Sequence, residues 1–273
     1  MAKELLIVIG MVVFAVAFRS CRMNWSRKLG AFIFLIASFL LFYFVADCLC
    51  WGLLGIGVWF LLPWIEILGR VRKLRLPMEN RLVHKETPED GFFPNASQAL
   101  AAMSEAHFEH VGDAAWSWAG MEQHFLLHWN PEEQASAAVC LCEQDNVAFA
   151  FISITSKTED GRTYRTTNFP FSPTLRSPSN FFWNHVPCEK NSFHQILEDH
   201  QAYLKRQKIA ESEWSTPDPE RLEDEIEEEM RLQIQHNLDQ KIIEPADGES
   251  FRYSTRGFFF LWKQFVKDML RLC

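Results

Sequence analysis

The sequence predicts a membrane-anchored α+β protein: transmembrane helices at the N-terminus, a cytoplasmic domain with an antiparallel β-meander flanked by helices, and a helical C-terminal module. Three observations lead there. Residues 29–68 carry two acidic side chains, Asp47 and Glu66, and no basic one. Between 114 and 167, short β-rich runs alternate with turn residues. From 218 onward a long acidic helix, a hairpin and an aromatic-rich helix follow one another.

One crossing of a bilayer takes roughly 20 apolar residues at about 1.5 Å each, so residues 29–68 suit two crossings rather than one. The break is expected at Ala46-Asp47-Cys48, because a lone carboxylate is tolerable at the surface and costly at the bilayer centre. Gly52, Gly55 and Gly57 allow close helix contact, and Pro63 interrupts the second span near its end. Arg19, Arg22, Arg27 and Lys28 precede the pair and Arg70, Arg72, Lys73 and Arg75 follow it, whereas the turn has no Lys or Arg. Positive charge stays on the cytoplasmic side, so both flanks are expected there. Residues 5–18 form an earlier apolar run with no cleavage motif before Arg19; it is expected to be an uncleaved span with the N-terminus outside. The spans are thus placed at about 5–18, 29–46 and 50–68 within a membrane region of residues 1–75, in what is expected to be a bacterial inner membrane.

Residues 76–96 are expected to be a juxtamembrane linker, broken by Pro77, Pro88, Asp90-Gly91 and Pro94. An α+β domain is placed at 97–210. It opens with a helix capped by Asn95 or Ser97, carrying Leu100, Met103 and His107 on one side and ending near Gly112-Asp113. Strands are expected at 114–118, 125–129, 136–142, 147–155 and 162–167, with turns at Asn130-Pro131, Gln144-Asp145-Asn146 and Asp160-Gly161. The run VAFAFISIT is apolar on both faces and is expected to be central. Residues 168–190, rich in Pro, Phe and Trp, are read as a loop covering the sheet. A helix from Ser192 presents Phe193, Ile196, Leu197, His200 and Leu204 on one face.

The C-terminal module is placed at 218–273. Asp218-Pro219-Glu220 starts a helix, with Asp as cap and Pro at the first position. Leu222, Ile226, Met230, Ile234 and Leu238 recur every four residues, a narrow stripe expected on a largely solvated helix or one with a single partner. Residues 242–254 form a hairpin and Gly257 precedes the last helix. In that helix Phe258, Leu261, Trp262, Phe265, Met269 and Leu272 share a face bordered by Lys263, Lys267 and Arg271. Such a face suits a helix lying on a membrane surface or docked on protein. The helix–hairpin–helix order over about 50 residues resembles a winged-helix module. That resemblance would imply DNA binding, but a reading helix should be basic and this one begins acidic.

The chain has net charge −8, and its residues beyond 69 hold 22 basic and 32 acidic side chains. This balance argues against nucleic-acid binding. The seven cysteines contain no CxxC pair, and Cys140 and Cys142 should share one strand face. His107-Phe108-Glu109-His110 and His124-Phe125-Leu126-Leu127-His128 invite a zinc reading, with Glu109 or Glu122 as a third ligand. His124 to His128 lacks the glutamate that a metalloprotease helix carries after its first histidine. No catalytic, cofactor or metal residue is therefore assigned, and no cofactor is expected. The expected role is noncatalytic: a membrane-tethered interaction or sensing protein. Its expected partners are the lipid bilayer and a protein or second copy bound through 218–273. One alternative is an enzyme with an unfamiliar site beneath the 168–190 loop, using His124, His128, Arg176 or His185. Another is an accessory subunit of a larger membrane complex.

Overall fold

The computed structural model describes residues 2–21, 23–85, 96–118, 120–144, 147–187 and 192–271. The breaks expected at Pro88, Asp90-Gly91 and Pro94, the Asn95 cap, the turn residues Asp145 and Asn146, and Leu272 lie outside them. The protein is α+β, with an apolar helix pair near the N-terminus, a mostly antiparallel sheet and C-terminal helices.

Three helices come first: α1 (Ala2–Arg19), α2 (Asn24–Ala46) and α3 (Leu49–Gly69). Asp47 ends α2 in the left-handed conformation (φ 48°), its N–H donating to the Tyr43 carbonyl, and Cys48 opens α3. The turn thus falls on the one polar residue of its neighbourhood. Gly55 is required where α2 and α3 meet, since a Cβ there would lie 2.6 Å from the Ser38 carbonyl. Trp59 crosses the same seam, its indole N–H donating to Ser38 Oγ at 2.7 Å. Segments 25–46 and 49–73 are each long and apolar enough to cross a membrane.

The residues after α3 are not a free connector. β1 (Leu76–Pro77) pairs antiparallel with a C-terminal strand, and β2 (Val83–His84) pairs with the first long strand of the sheet. α4 (Ala96–Glu105) follows. The large sheet then runs through β3 (Glu109–Trp118), β4 (Met121–Asn130), β5 (Ala135–Gln144), β6 (Val147–Thr158) and β7 (Thr163–Thr167), each antiparallel to its neighbour. α4 is shorter than expected and β3 starts earlier. Gly112 does not end the helix; it sits in β3 at a register shift between His110 and Gly112. A bulge uses a glycine as readily as a helix terminus does.

Residues 168–190 also differ from a plain loop. β8 (Phe181–His185) lies within them and pairs parallel with β7 at the sheet's end. Ser172, Thr174 and Arg176 of the segment bond to residues of the C-terminal part of the chain. α5 (Phe193–Gln207) follows, then the short β9 (Trp214–Ser215) beside β6. α6 (Leu222–Asp239), β10 (Ile243–Pro245), β11 (Ser250–Tyr253) and α7 (Thr255–Arg271) complete the chain.

Strand alternation assigns the two faces of the sheet. Leu126, Val139, Leu141, Ile152 and Ile154 point to one side, where Met103 of α4 and Phe193 and Ile196 of α5 cover them. Phe125, Leu127, Cys140 and Phe151 point to the other, against Leu222, Ile226 and Met230 of α6. α6 is therefore not a solvated helix; its narrow stripe covers a sheet. Its acidic residues tolerate that position because the sheet supplies partners. Lys157 Nζ contacts Glu225 and Glu229 at 2.9 Å each, Arg165 pairs with Glu229, and the Leu82 N–H donates to Glu227 at 2.6 Å.

A second core joins the segments on either side of the sheet. Ile67 of α3, Ile234 of α6, Ile242, Ile243, Phe251, Tyr253 and Leu261 of α7 are all buried together. β1, β11 and β10 form a small three-stranded sheet at its edge. Residues 218–271 are thus shared between two cores: the first half of α6 closes the sheet, and the second half with Leu261 of α7 closes on α3. Gly257 is obligatory here, since a Cβ at that position would fall on the Ile242 carbonyl.

Candidate functional site

The four polar residues considered for an enzyme do not converge. His124 and His128 lie on β4, on the face covered by α4 and α5. Arg176 lies on the opposite side, its guanidinium 5.5 Å from the Phe260 ring centroid of α7. His185 stacks on Trp183 in β8, with ring centroids 5.6 Å apart. As expected, the first part of the 168–190 segment covers the sheet: the Phe169 ring lies 4.8 Å from that of Phe151 and the Phe171 ring 5.7 Å from that of Phe149. From 168 to 180 it is also a strap. Ser172 N–H donates to the Asp268 carboxylate at 3.0 Å. Asn237, fully buried on α6, accepts from Arg176 N–H at 2.9 Å and donates to its carbonyl at 2.7 Å. Tyr253 donates its hydroxyl to the Thr174 carbonyl at 3.4 Å. These bonds tie the sheet domain to the C-terminal helices.

Part of the histidine pattern does come together. His107, His110 and His128 line a shallow concavity of about 410 Å³ with Ser104, Phe108 and Glu109. His110 Nε2 lies 2.8 Å from Asp113 Oδ1, and its ring meets His128 edge-on at 5.1 Å. Burial holds the His128 imidazole down at about 4, with its hydrogen bond to the Leu126 carbonyl opposing only in part. The ring is therefore neutral at neutral pH. Among the described residues, no group of three or more His, Cys, Asp or Glu is arranged to hold a metal ion.

His124 sits apart, 1% exposed, with neither ring nitrogen hydrogen-bonded. Glu122 Oε2 lies 3.5 Å from its Nε2. Glu122 itself is held below the usual carboxylate range by Lys85, whose ammonium lies 3.0 Å away. His200 is a satisfied core histidine: Ser156 Oγ lies 3.2 Å from one nitrogen and Thr166 Oγ1 2.9 Å from the other. Cys140 and Cys142 share a sheet face; burial pushes the Cys140 thiol up and Cys142 up to about 12, so neither is a thiolate nucleophile.

The more distinctive arrangement lies where α3 meets α7, which residue-level motifs do not reveal. Trp262 Nε1 donates to the Phe60 carbonyl at 2.6 Å, and Trp64 meets Phe259 edge-on at 5.1 Å. Pro63 has no N–H to give the Trp59 carbonyl four residues earlier, next to Phe60. The tryptophan thus binds α3 at the turn that proline interrupts. No family model, curated protein or solved structure matches the chain.

Proposed function

We propose that this chain is an integral membrane protein of a bacterial inner membrane, which holds a rigid α+β domain against the cytoplasmic face and binds or senses a protein partner there without catalysing a reaction. The observation that carries the membrane part is the outward face of α2 and α3. Phe32 is 59% exposed, Val45 77%, Leu61 58% and Ile65 71%. An apolar band of that extent is expelled by water and suits lipid. Arginines and lysines at both flanks, with none at the Asp47 turn, favour cytoplasmic ends and an outer turn. α1 would add a third span, bringing the N-terminus outside.

The noncatalytic reading rests on the dispersion of His124, His128, Arg176 and His185 over two faces and an edge. A rigid mount is supported by Ile67, which belongs at once to α3 and to the core beneath α6 and α7. A domain held this way keeps a fixed orientation to the bilayer, which suits presentation of a surface to a partner. Within 218–273, the outward band of α6 that remains for a protein is Asp224, Glu228, Arg231, Leu232 and Gln235. The experiment is an alkaline carbonate wash of expressing membranes, followed by affinity purification of the full chain in mild detergent. Retention in the washed pellet and a stoichiometric co-purifying protein are expected. Release of the chain by carbonate contradicts the membrane reading, and turnover of a small molecule by the purified chain contradicts the noncatalytic one.

A further inference from the structure

We infer that α7 is an in-plane membrane helix, seated in the cytoplasmic leaflet with Phe259 among the acyl chains and Lys263 at the phosphate level. The inference rests on the reading of α2 and α3 as spans, and depth along α3 is what carries it. About 20 residues at 1.5 Å each cross a hydrocarbon layer of about 30 Å, so a span starting at Leu49 leaves the hydrocarbon near residue 68. Phe60 lies nine residues before the end of α3 at Gly69, which is about 13 Å of helix. The Trp262 indole bonds to the Phe60 carbonyl, and the Phe259 ring meets Trp64. If α3 spans, both side chains are below the hydrocarbon boundary, and the helix that bears them lies at that boundary.

The face that the sequence offered to a membrane, Phe258, Leu261, Trp262 and Phe265, packs instead on the core that holds Ile67. What α7 turns outward is Phe259 with Arg256 and Lys263, and in-plane helices place apolar side chains roughly 5–10 Å into the headgroup and acyl region with basic residues alongside. Phe259 is 58% exposed, facing away from the domain. Lys263 follows one turn later on the same exposed stripe, where its stem runs through apolar surroundings and its ammonium reaches phosphate. The other side of α7 is fixed to protein: Leu261 is buried, Asp268 accepts from Ser172, and Arg176 covers Phe260. α7 is thereby clamped between the leaflet and the strap at 168–180, and the occupant of its exposed aromatic side is lipid.

The test places a photoreactive benzophenone amino acid at position 259 of the full chain in native membranes. Two comparison positions are exposed to similar degrees: Leu53 on α3 at 57% and Leu232 on α6 at 43%. After irradiation and mass spectrometry, phospholipid adducts are expected at 259 and 53 and not at 232. Lipid at 53 with none at 259, or a covalent link from 259 to a second copy, overturns the in-plane assignment and leaves the spans standing. Absence of lipid at both 53 and 259 removes the span reading and the in-plane helix with it. An unchanged melting temperature for the 259 variant shows that the fold is intact.

Discussion

Replacing Glu229 by alanine lowers the stability of the sheet domain by about 3 kcal/mol, as breaking one partner out of a buried ion pair does. The Glu229 side chain is 11% exposed and joins two cations, Lys157 at 28% and Arg165 at 20%. Arg165 is further fixed by a 2.8 Å bond from Nε to Thr155 Oγ1 and lies 5.4 Å from the Trp183 ring centroid. Without the carboxylate, Arg165 remains largely out of water with no anion, while Lys157 keeps Glu225. Glu228→Ala is the control: that residue is 54% exposed and pairs with Arg231 on the surface, a contact worth about 0.5 kcal/mol or less. Chemical denaturation of the detergent-solubilised protein reads both, and equal effects would refute the buried network.

The same residues set the acid side of stability. Burial alone would raise the Glu229 carboxyl, but Arg165 and Lys157 outweigh it and hold it below its ordinary 4.5. Its contribution is present above that value and is lost as pH falls through the folded-state pKa. Burial also depresses His200 to about 3 and His128 to about 4, from 6.5. Below pH 6.5 the unfolded chain gains protons that the folded chain refuses, so stability declines from there down to about 3 to 4. The melting temperature should be level from pH 7 to 8, begin to fall near 6.5, and fall further below 4.5, where Glu229 of the unfolded chain takes up a proton that the folded ion pair resists.

The second large effect is at Ile67. Two isoleucines near the end of α3 have opposite surroundings: Ile67 is fully buried with Ile234, Ile243 and Leu261, and Ile65 is 71% exposed. Ile67→Ala removes buried carbon and leaves a cavity at the junction, at a cost of about 3 kcal/mol. Ile65→Ala should leave folding nearly unchanged. The predicted signature is directional: Ile67→Ala frees the domain from α3, and limited proteolysis then cuts between 69 and 76. Equal protease resistance in both variants would show that α3 and the domain are joined only by chain.

The apolar helices were legible because their signal is local. Forty residues with no basic side chain, broken once at Asp47, specify two helices and a turn. The strands from β4 to β7 were legible for the same reason, being separated by Asn130-Pro131, Gln144-Asp145-Asn146 and Asp160-Gly161, whereas β3 was read only from 114 and starts at Glu109. β8 was not, because Phe181–His185 pairs parallel at a sheet end and lacks alternation to mark it. The role of α6 was hidden by its charge. Glu225, Glu227 and Glu229 look like solvated residues until their partners at Lys157, Arg165 and Leu82 appear, 64 to 145 positions away. The spacing of His124 and His128 correctly placed them on one face, but what covers that face comes from α4 and α5. The α3–α7 seam joins residues 60 and 262, and no period in the sequence reports a contact of that separation.

The most direct test uses the protein's own thiols. Cys21 follows α1, and Cys48 and Cys50 lie at the α2–α3 turn; all three are exposed. A membrane-impermeant maleimide applied to the outer face of intact inner-membrane spheroplasts, followed by peptide mass spectrometry, should modify Cys48 and Cys50 and spare Cys21 until the membrane is opened. Modification of Cys21 from outside, with Cys48 and Cys50 protected, would contradict the topology from which the mount, the in-plane helix and the proposed role all follow.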